Sequence, residues 1–177
     1  YFLEICTDEA LKRRVVDSMC RQVDYIIRYV GSAKDGKKPI AATGVLIYRG
    51  ANSASILEPI VRLYSLTEEA RYLEFATYLV DSGVLDVANL YQLAYENQFK
   101  PYQYPVTKAY EMTSCFEGLI EFYKITSVEK YKTAMTYLNK YKAHKSQNVK
   151  ITIIKPKGEI KGNLCKNNNP TNIPRIK

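Results

Sequence analysis

The chain has 177 residues, of which 46% are apolar, and this length suits one domain with a hydrophobic core. No run approaches the ~20 apolar residues of a membrane-spanning helix, so we predict no membrane partner. The net charge of +8 resides in residues 140–177, which contain ten Lys and Arg and one acid, whereas the first 139 residues are near neutral. This distribution argues against nucleic-acid binding by the folded part.

The N-terminal half contains the signals of three helices. Thr7-Asp8-Glu9 provides a helix start, with a capping hydroxyl from Thr7 and acids in the first turn, and apolar residues then recur at helical spacing as far as Val30. Residues 31–50 are rich in glycine and are predicted to form a long connection. A second helix is expected from Asn52 or Ser53 to Tyr64, and a third, capped by Thr67, to about residue 82.

The C-terminal half continues the helical pattern and then loses it. We predict a helix over 84–98 with Leu85, Val87 and Leu90 facing inward, an extended loop at 100–105, and two helices over 107–124 and 126–143. Residues 149–154 are β-branched and strand-like, and 155–177 show no periodicity. The predicted organisation is a helical-hairpin part at 1–148, followed at 149–177 by a strand-like segment and a disordered basic tail.

Two stretches, 56–81 and 115–140, are variants of one helical hairpin at a spacing of 59 residues. Such self-similarity indicates a repeat architecture, in which each unit buries its apolar face against its neighbours. The identical pairs are Glu58/Glu117, Tyr64/Tyr123, Thr67/Thr126, Tyr72/Tyr131, Thr77/Thr136, Tyr78/Tyr137 and Leu79/Leu138.

These hairpins carry a resemblance to a known family. The runs SILEPIVRLYSLTEEARYLEFATYLV and KAYEMTSCFEGLIEFYKITSVEKYKTAMTYL resemble glycoside hydrolase family 127, the β-L-arabinofuranosidase type, and VKITII resembles the stretch that follows them there. The resemblance covers roughly residues 1–154. It implies an all-α fold, a partial (α/α)6 barrel of about six helices in antiparallel hairpins with an irregular basic tail. A complete barrel has about twelve helices, so we expect the chain to be a piece of a longer protein.

The same resemblance implies an acid in a Gly-rich loop and a cysteine nucleophile held with zinc. This chain lacks the family's Glu-Thr-Cys motif, and the four cysteines and single histidine form no recognisable zinc pattern. Glu159 and Cys165 are the only candidates in the tail, so the catalytic residues are left unassigned. We therefore expect a fragment of a glycoside hydrolase that is inactive as this chain, with no metal or cofactor of its own.

In an α/α barrel the inner helices present their N-terminal ends to a central cleft. On that basis the candidate substrate-binding residues are Asn52 and Ser53 before the second helix and Lys108, Tyr110 and Glu111 at the start of the fifth. Their side chains suit sugar hydroxyls and sugar faces. Helix capping and a solvated first turn are the competing explanations, and Lys108 stands where relatives commonly place a histidine. Glu58 and Glu117 are interpreted as carboxylates that bond neighbouring helix ends rather than as an acid/base pair.

The expected partner is an arabinose-containing plant-type glycan. Self-association is also expected, because half a barrel leaves the apolar flanks of its terminal hairpins without neighbours. The alternative function is a helical-repeat binding module without catalytic activity, although a period of 59 residues suits barrel hairpins better than the 34 of tetratricopeptide repeats. The chain starts without a signal-peptide pattern, so its start does not indicate a cellular compartment. The resemblance favours a periplasmic or secreted location.

Overall fold

The fold is all-α, as the periodicity predicts. A computed structural model describes residues 2–143, and within them no strand forms. The α-helices are α1 (Phe2–Ile5), α2 (Glu9–Tyr29), α3 (Ala51–Ala54), α4 (Leu57–Thr67), α5 (Ala70–Asp81), α6 (Leu90–Glu96), α7 (Ala109–Thr126) and α8 (Glu129–Ala143). No helix among these residues is long and apolar enough to cross a membrane. Glu159, Cys165 and the strand-like 149–154 lie outside the described residues.

The first long helix begins where the sequence predicts a helix start, but its N-cap is Asp8 rather than Thr7. The Asp8 carboxylate accepts a hydrogen bond from the Leu11 backbone N–H at 3.0 Å, which satisfies one of the unpaired donors at the helix start. The connection over 31–50 contains short 3-10 turns, and the last of them, Leu46–Tyr48, directly precedes α3. The long loop is therefore ordered by local hydrogen bonds.

The second predicted helix is broken in two, so its expected continuity is wrong. α3 ends at Ala54 and α4 begins at Leu57, with Ser55 between them donating its hydroxyl to the Asn52 carbonyl at 2.8 Å. Pro59 explains the break. Its ring has no N–H to give to the Ser55 carbonyl and collides with that carbonyl in a continuous helix.

Two further boundaries differ from the sequence prediction. Thr67 ends α4 rather than capping the next helix, because its hydroxyl donates back to the Leu63 carbonyl at 2.9 Å. The helix expected over 84–98 is confined to Leu90–Glu96 and capped by Asn89, whose side chain accepts from the Gln92 N–H at 2.9 Å. The preceding residues form a turn, which leaves Val87 54% exposed instead of inward-facing.

The two repeated hairpins share the same turn. Glu68 after α4 has φ 56° and ψ 20°, and Ser127 after α7 has φ 55° and ψ 22°. Each donates its N–H at 2.7 Å to the carbonyl of an equivalent tyrosine, Tyr64 or Tyr123. Two non-glycine residues in the left-handed region at equivalent places indicate one hairpin geometry used twice.

The repeat also holds in the core. Equivalent side chains on α4 and α7, and on α5 and α8, are buried in both hairpins and form part of one continuous hydrophobic cluster. The buried pairs are Leu57/Phe116, Ile60/Leu119, Leu63/Phe122, Tyr72/Tyr131 and Leu79/Leu138. The apolar pattern of each hairpin therefore faces a common core.

The first helices of the two hairpins, α4 and α7, pack side by side in the same direction. The contacts between the two segments follow the same order along each of them, from Lys108 with Tyr48, through Cys115 with Ala51, to Gly118 with Leu57. α5 covers α4, while α7 and α6 both pack against α8. The first helices of the two hairpins therefore form a parallel pair, called the inner helices below, and the second helices, α5 and α8, run antiparallel to them.

Candidate functional site

Lys108, Tyr48 and Glu111 meet at the N-terminal end of α7. The Lys108 ammonium donates to the Tyr48 hydroxyl at 2.7 Å, lies 4.3 Å from the centre of that ring, and forms an ion pair with Glu111 at 3.3 Å. These partners raise the pKa of Lys108, the Tyr48 hydrogen bond contributing most. The side chain is still 51% exposed, so the cation sits at the mouth of the cluster.

Glu111 is a buried carboxylate with one unused oxygen. Its side chain is 10% exposed, and it lies in the first turn of α7, where the helix dipole favours negative charge. Oε1 pairs with Lys108, whereas Oε2 is buried and accepts no hydrogen bond from any described residue. The expectation of a solvated first turn is therefore wrong for Glu111, because packing encloses the carboxylate.

Asn52 and Ser53 lie at the neighbouring helix start, in α3. A Cβ built on Gly44 would collide with the Asn52 amide oxygen and lie 2.5 Å from the Ser53 hydroxyl, so a larger residue at this position would push these two side chains aside. The Asn52 oxygen is buried and accepts no hydrogen bond within the described part of the chain. Neither side chain caps α3, whose N-cap is Gly50, so the capping explanation fails.

A buried cysteine links these two groups. Cys115, one turn after Glu111, donates its Sγ–H to the Ala51 carbonyl at 3.3 Å, next to Asn52. The Tyr91 hydroxyl donates to the Cys115 carbonyl at 3.0 Å from the other side. Four of the five predicted substrate-binding residues therefore lie at one end of α3 and α7. The fifth, Tyr110, is 76% exposed and offers its ring to solvent at the same helix end.

The sequence prediction missed Tyr48, Gly44 and Cys115 as parts of this site. Tyr48 belongs to the loop before α3, and nothing in its local sequence places it opposite a residue 60 positions later. The spacing of the repeat is the one sequence signal for Cys115, since it makes this residue equivalent to Ile56, which directly precedes α4.

The described cysteines do not fit the zinc site that the family resemblance implies. Cys115 is buried and bonded to Ala51, and residues 2–143 contain no group of three or more His, Cys, Asp or Glu side chains that could hold a metal ion. Glu58 also departs from its predicted role, since it pairs with Arg62 of the same helix at 2.8 Å.

The Cys115 thiol is expected to lower the free energy of unfolding as the pH becomes alkaline. Burial raises its pKa from the ordinary 9.0 to about 12, and the nearby Glu111 carboxylate adds to the shift. The native state holds this proton more tightly than the unfolded chain. The resulting stabilisation is fully present below pH 9 and is lost as the pH rises from 9.0 to about 12.

We accordingly expect Cys115→Ala to flatten the alkaline limb of the stability curve. Urea unfolding between about pH 8 and pH 11 measures it, with the wild type losing more free energy over that range than the variant. Tyrosines whose raised pKa owes nothing to Cys115, such as Tyr78, titrate alike in both proteins and cancel in the comparison. Parallel curves for the two proteins would show that the Cys115 thiol is solvated.

Comparisons of the chain with family models, with curated proteins and with solved structures found no match in any of the three. A function must therefore be argued from the chemistry of the site itself. The likeness to β-L-arabinofuranosidase-type enzymes remains a proposal.

Proposed function

We propose that this chain is the sugar-binding part of an (α/α)6-barrel glycoside hydrolase acting on arabinose-containing plant glycans, and that it does not cleave them by itself. One observation carries the proposal. The parallel inner helices bring Lys108, Tyr48 and Glu111 to the same end as Asn52 and Ser53. This is the end at which barrels of this kind present their substrate cleft.

The chemistry of the cluster suits a polyhydroxylated ligand. Two acceptor oxygens, on Asn52 and Glu111, have no donor among the described residues, and each sugar hydroxyl can donate one hydrogen bond. Both oxygens are buried, so these side chains must turn outward before a sugar hydroxyl can donate to them. The Lys108 ammonium has three N–H groups, of which Tyr48 and Glu111 engage two. The exposed ring of Tyr110 provides a face for the apolar side of a furanose.

Cleavage needs a proton donor and an opposing nucleophile or activated water. Within residues 2–143, Glu111 is the one buried acid, and it is already paired with Lys108. We therefore expect no hydrolysis of aryl β-L-arabinofuranosides by this chain. Turnover that disappears in Glu159→Gln, accompanied by one bound zinc per chain, would contradict this part of the proposal.

Binding is tested with a matched pair of lysine variants. Lys108→Met should abolish most of the calorimetric signal for an arabinofuranosyl oligosaccharide, because it removes the cation and leaves Glu111 buried without its partner. Lys132→Met is the control, since Lys132 pairs with Glu129 at 3.2 Å and lies 5.9 Å from the Tyr123 ring on the outer side of the second hairpin. Equal binding by both variants, or none by the wild type, would contradict the proposal and favour a binding module for another ligand.

A further inference from the structure

The outer face of α2 carries a regular stripe of exposed side chains. Its members follow one another at alternating steps of three and four residues, the spacing that one helix presents to another. They are Leu11, Arg14, Ser18, Arg21, Tyr25 and Arg28, and all six are exposed. Four of them, Leu11, Arg14, Ser18 and Arg21, border an open depression of about 320 Å³ along this helix, together with Val15 and the half-buried acid Asp17.

The outer face of α5 carries a stripe of the same form and the opposite charge. Its exposed members are Ala70, Glu74, Thr77 and Asp81. Arg14 and Arg21 are seven residues apart, as are Glu74 and Asp81, so each charged pair spans about 10.5 Å of helix. Within the described residues, none of these four side chains forms an ion pair.

The two stripes also match in shape. Ser18 lies between the two arginines, and Thr77 lies between the two acids, so the centre of each stripe is a small residue that permits close approach. α2 and α5 are neighbours in one molecule, joined by the Arg71–Asp24 ion pair at 2.8 Å. One molecule therefore displays a basic and an acidic face side by side.

We propose that α2 of one molecule docks against α5 of a second copy, and α5 against α2, around a two-fold axis. Such an isologous contact uses each stripe once and closes the dimer. Repulsion between like charges disfavours the pairing of α2 with α2 or of α5 with α5, so the charges decide which helix meets which. This inference does not rest on the proposed function, because the stripes lie on outer helices and share no residue with the Lys108 cluster.

Charge reversal tests the pairing. Arg14→Glu/Arg21→Glu and Glu74→Arg/Asp81→Arg should each weaken self-association by about tenfold or more in sedimentation equilibrium. Mixing the two variants should restore the dimer, because both contacts then join opposite charges. Lys34→Glu/Lys38→Glu is the control for net charge, since these exposed residues lie in the loop after α2, and it should leave association unchanged.

Cross-linking gives a second readout that does not depend on weak equilibria. Ser18→Cys and Thr77→Cys chains, mixed and oxidised, should form a covalent heterodimer, and each alone should form far less. These exposed positions lie at the centre of both stripes, so the bond forms whether the helices meet parallel or antiparallel. A wild-type monomer at every concentration, or no gain in cross-linked product on mixing, would overturn the proposal.

Discussion

Replacing Phe116 with alanine is expected to lower the free energy of unfolding by about 3–5 kcal/mol. Phe116 is 1% exposed on α7, and its ring makes an edge contact with Tyr91 at 5.5 Å between centroids. Truncation leaves a cavity between α6 and α7 that the surrounding helices fill only in part. Chemical denaturation monitored by circular dichroism measures the loss.

The equivalent residue of the first hairpin provides a comparison within the same chain. Leu57 is 0% exposed, and Leu57→Ala should cost about 2–5 kcal/mol. Tyr110→Ala is the control at an exposed position of α7 and should change stability by no more than about 0.5 kcal/mol. A loss below about 1 kcal/mol for Phe116→Ala would mean that α7 is not packed on α6 as the contact between Phe116 and Tyr91 requires.

The second large effect is expected where the two inner helices touch. A Cβ on Gly118 would lie 2.7 Å from the Leu57 Cβ and 2.9 Å from the Glu58 backbone nitrogen. Backbone cannot move aside as a flexible side chain can, so α4 and α7 must separate. We expect Gly118→Ala to destabilise the protein by about 1–3 kcal/mol, although alanine favours a helix over glycine by about 1 kcal/mol.

Ser114→Ala is the matched control for Gly118→Ala. Ser114 lies one turn earlier on α7 and is half-buried, and alanine is the better helix former there. Thermal unfolding should show no loss or a slight gain for Ser114→Ala beside a clear loss for Gly118→Ala. An equal gain in both would place α4 and α7 farther apart than the close contact at Gly118 allows.

The fold was predictable where local rules and the repeat agreed. The Thr7-Asp8-Glu9 signal marked the start of α2, although Asp8 rather than Thr7 caps it, and the matching apolar residues of the two hairpins identified their shared core. Prediction failed where one local signal has two readings. Thr67 followed by two acids resembles a helix start, yet its hydroxyl closes the preceding helix, and Pro59 divides a segment whose periodicity continues.

The sequence predicted that Asn52, Ser53, Lys108 and Glu111 lie close together, because repeat-equivalent helix ends point to one place in the barrel that the family resemblance implies. The structure places these residues at one end of α3 and α7, and their binding of a substrate stays a prediction. The burial of Glu111 was not foreseen, because it depends on tertiary packing that no local pattern encodes. Tyr48 was not foreseen either, since a loop residue reaches Lys108 only through the close packing of the inner helices.

Titration of the isotope-labelled full chain with an arabinofuranosyl oligosaccharide, followed by amide NMR spectra, tests the proposed sugar site most directly. We predict saturable shifts confined to residues 44–53 and 108–115, with an affinity in the ~1 mM range typical of small, open sites, and their loss in Lys108→Met. Shifts confined to other surfaces, or none at about 10 mM ligand, would contradict a sugar site at the ends of α3 and α7.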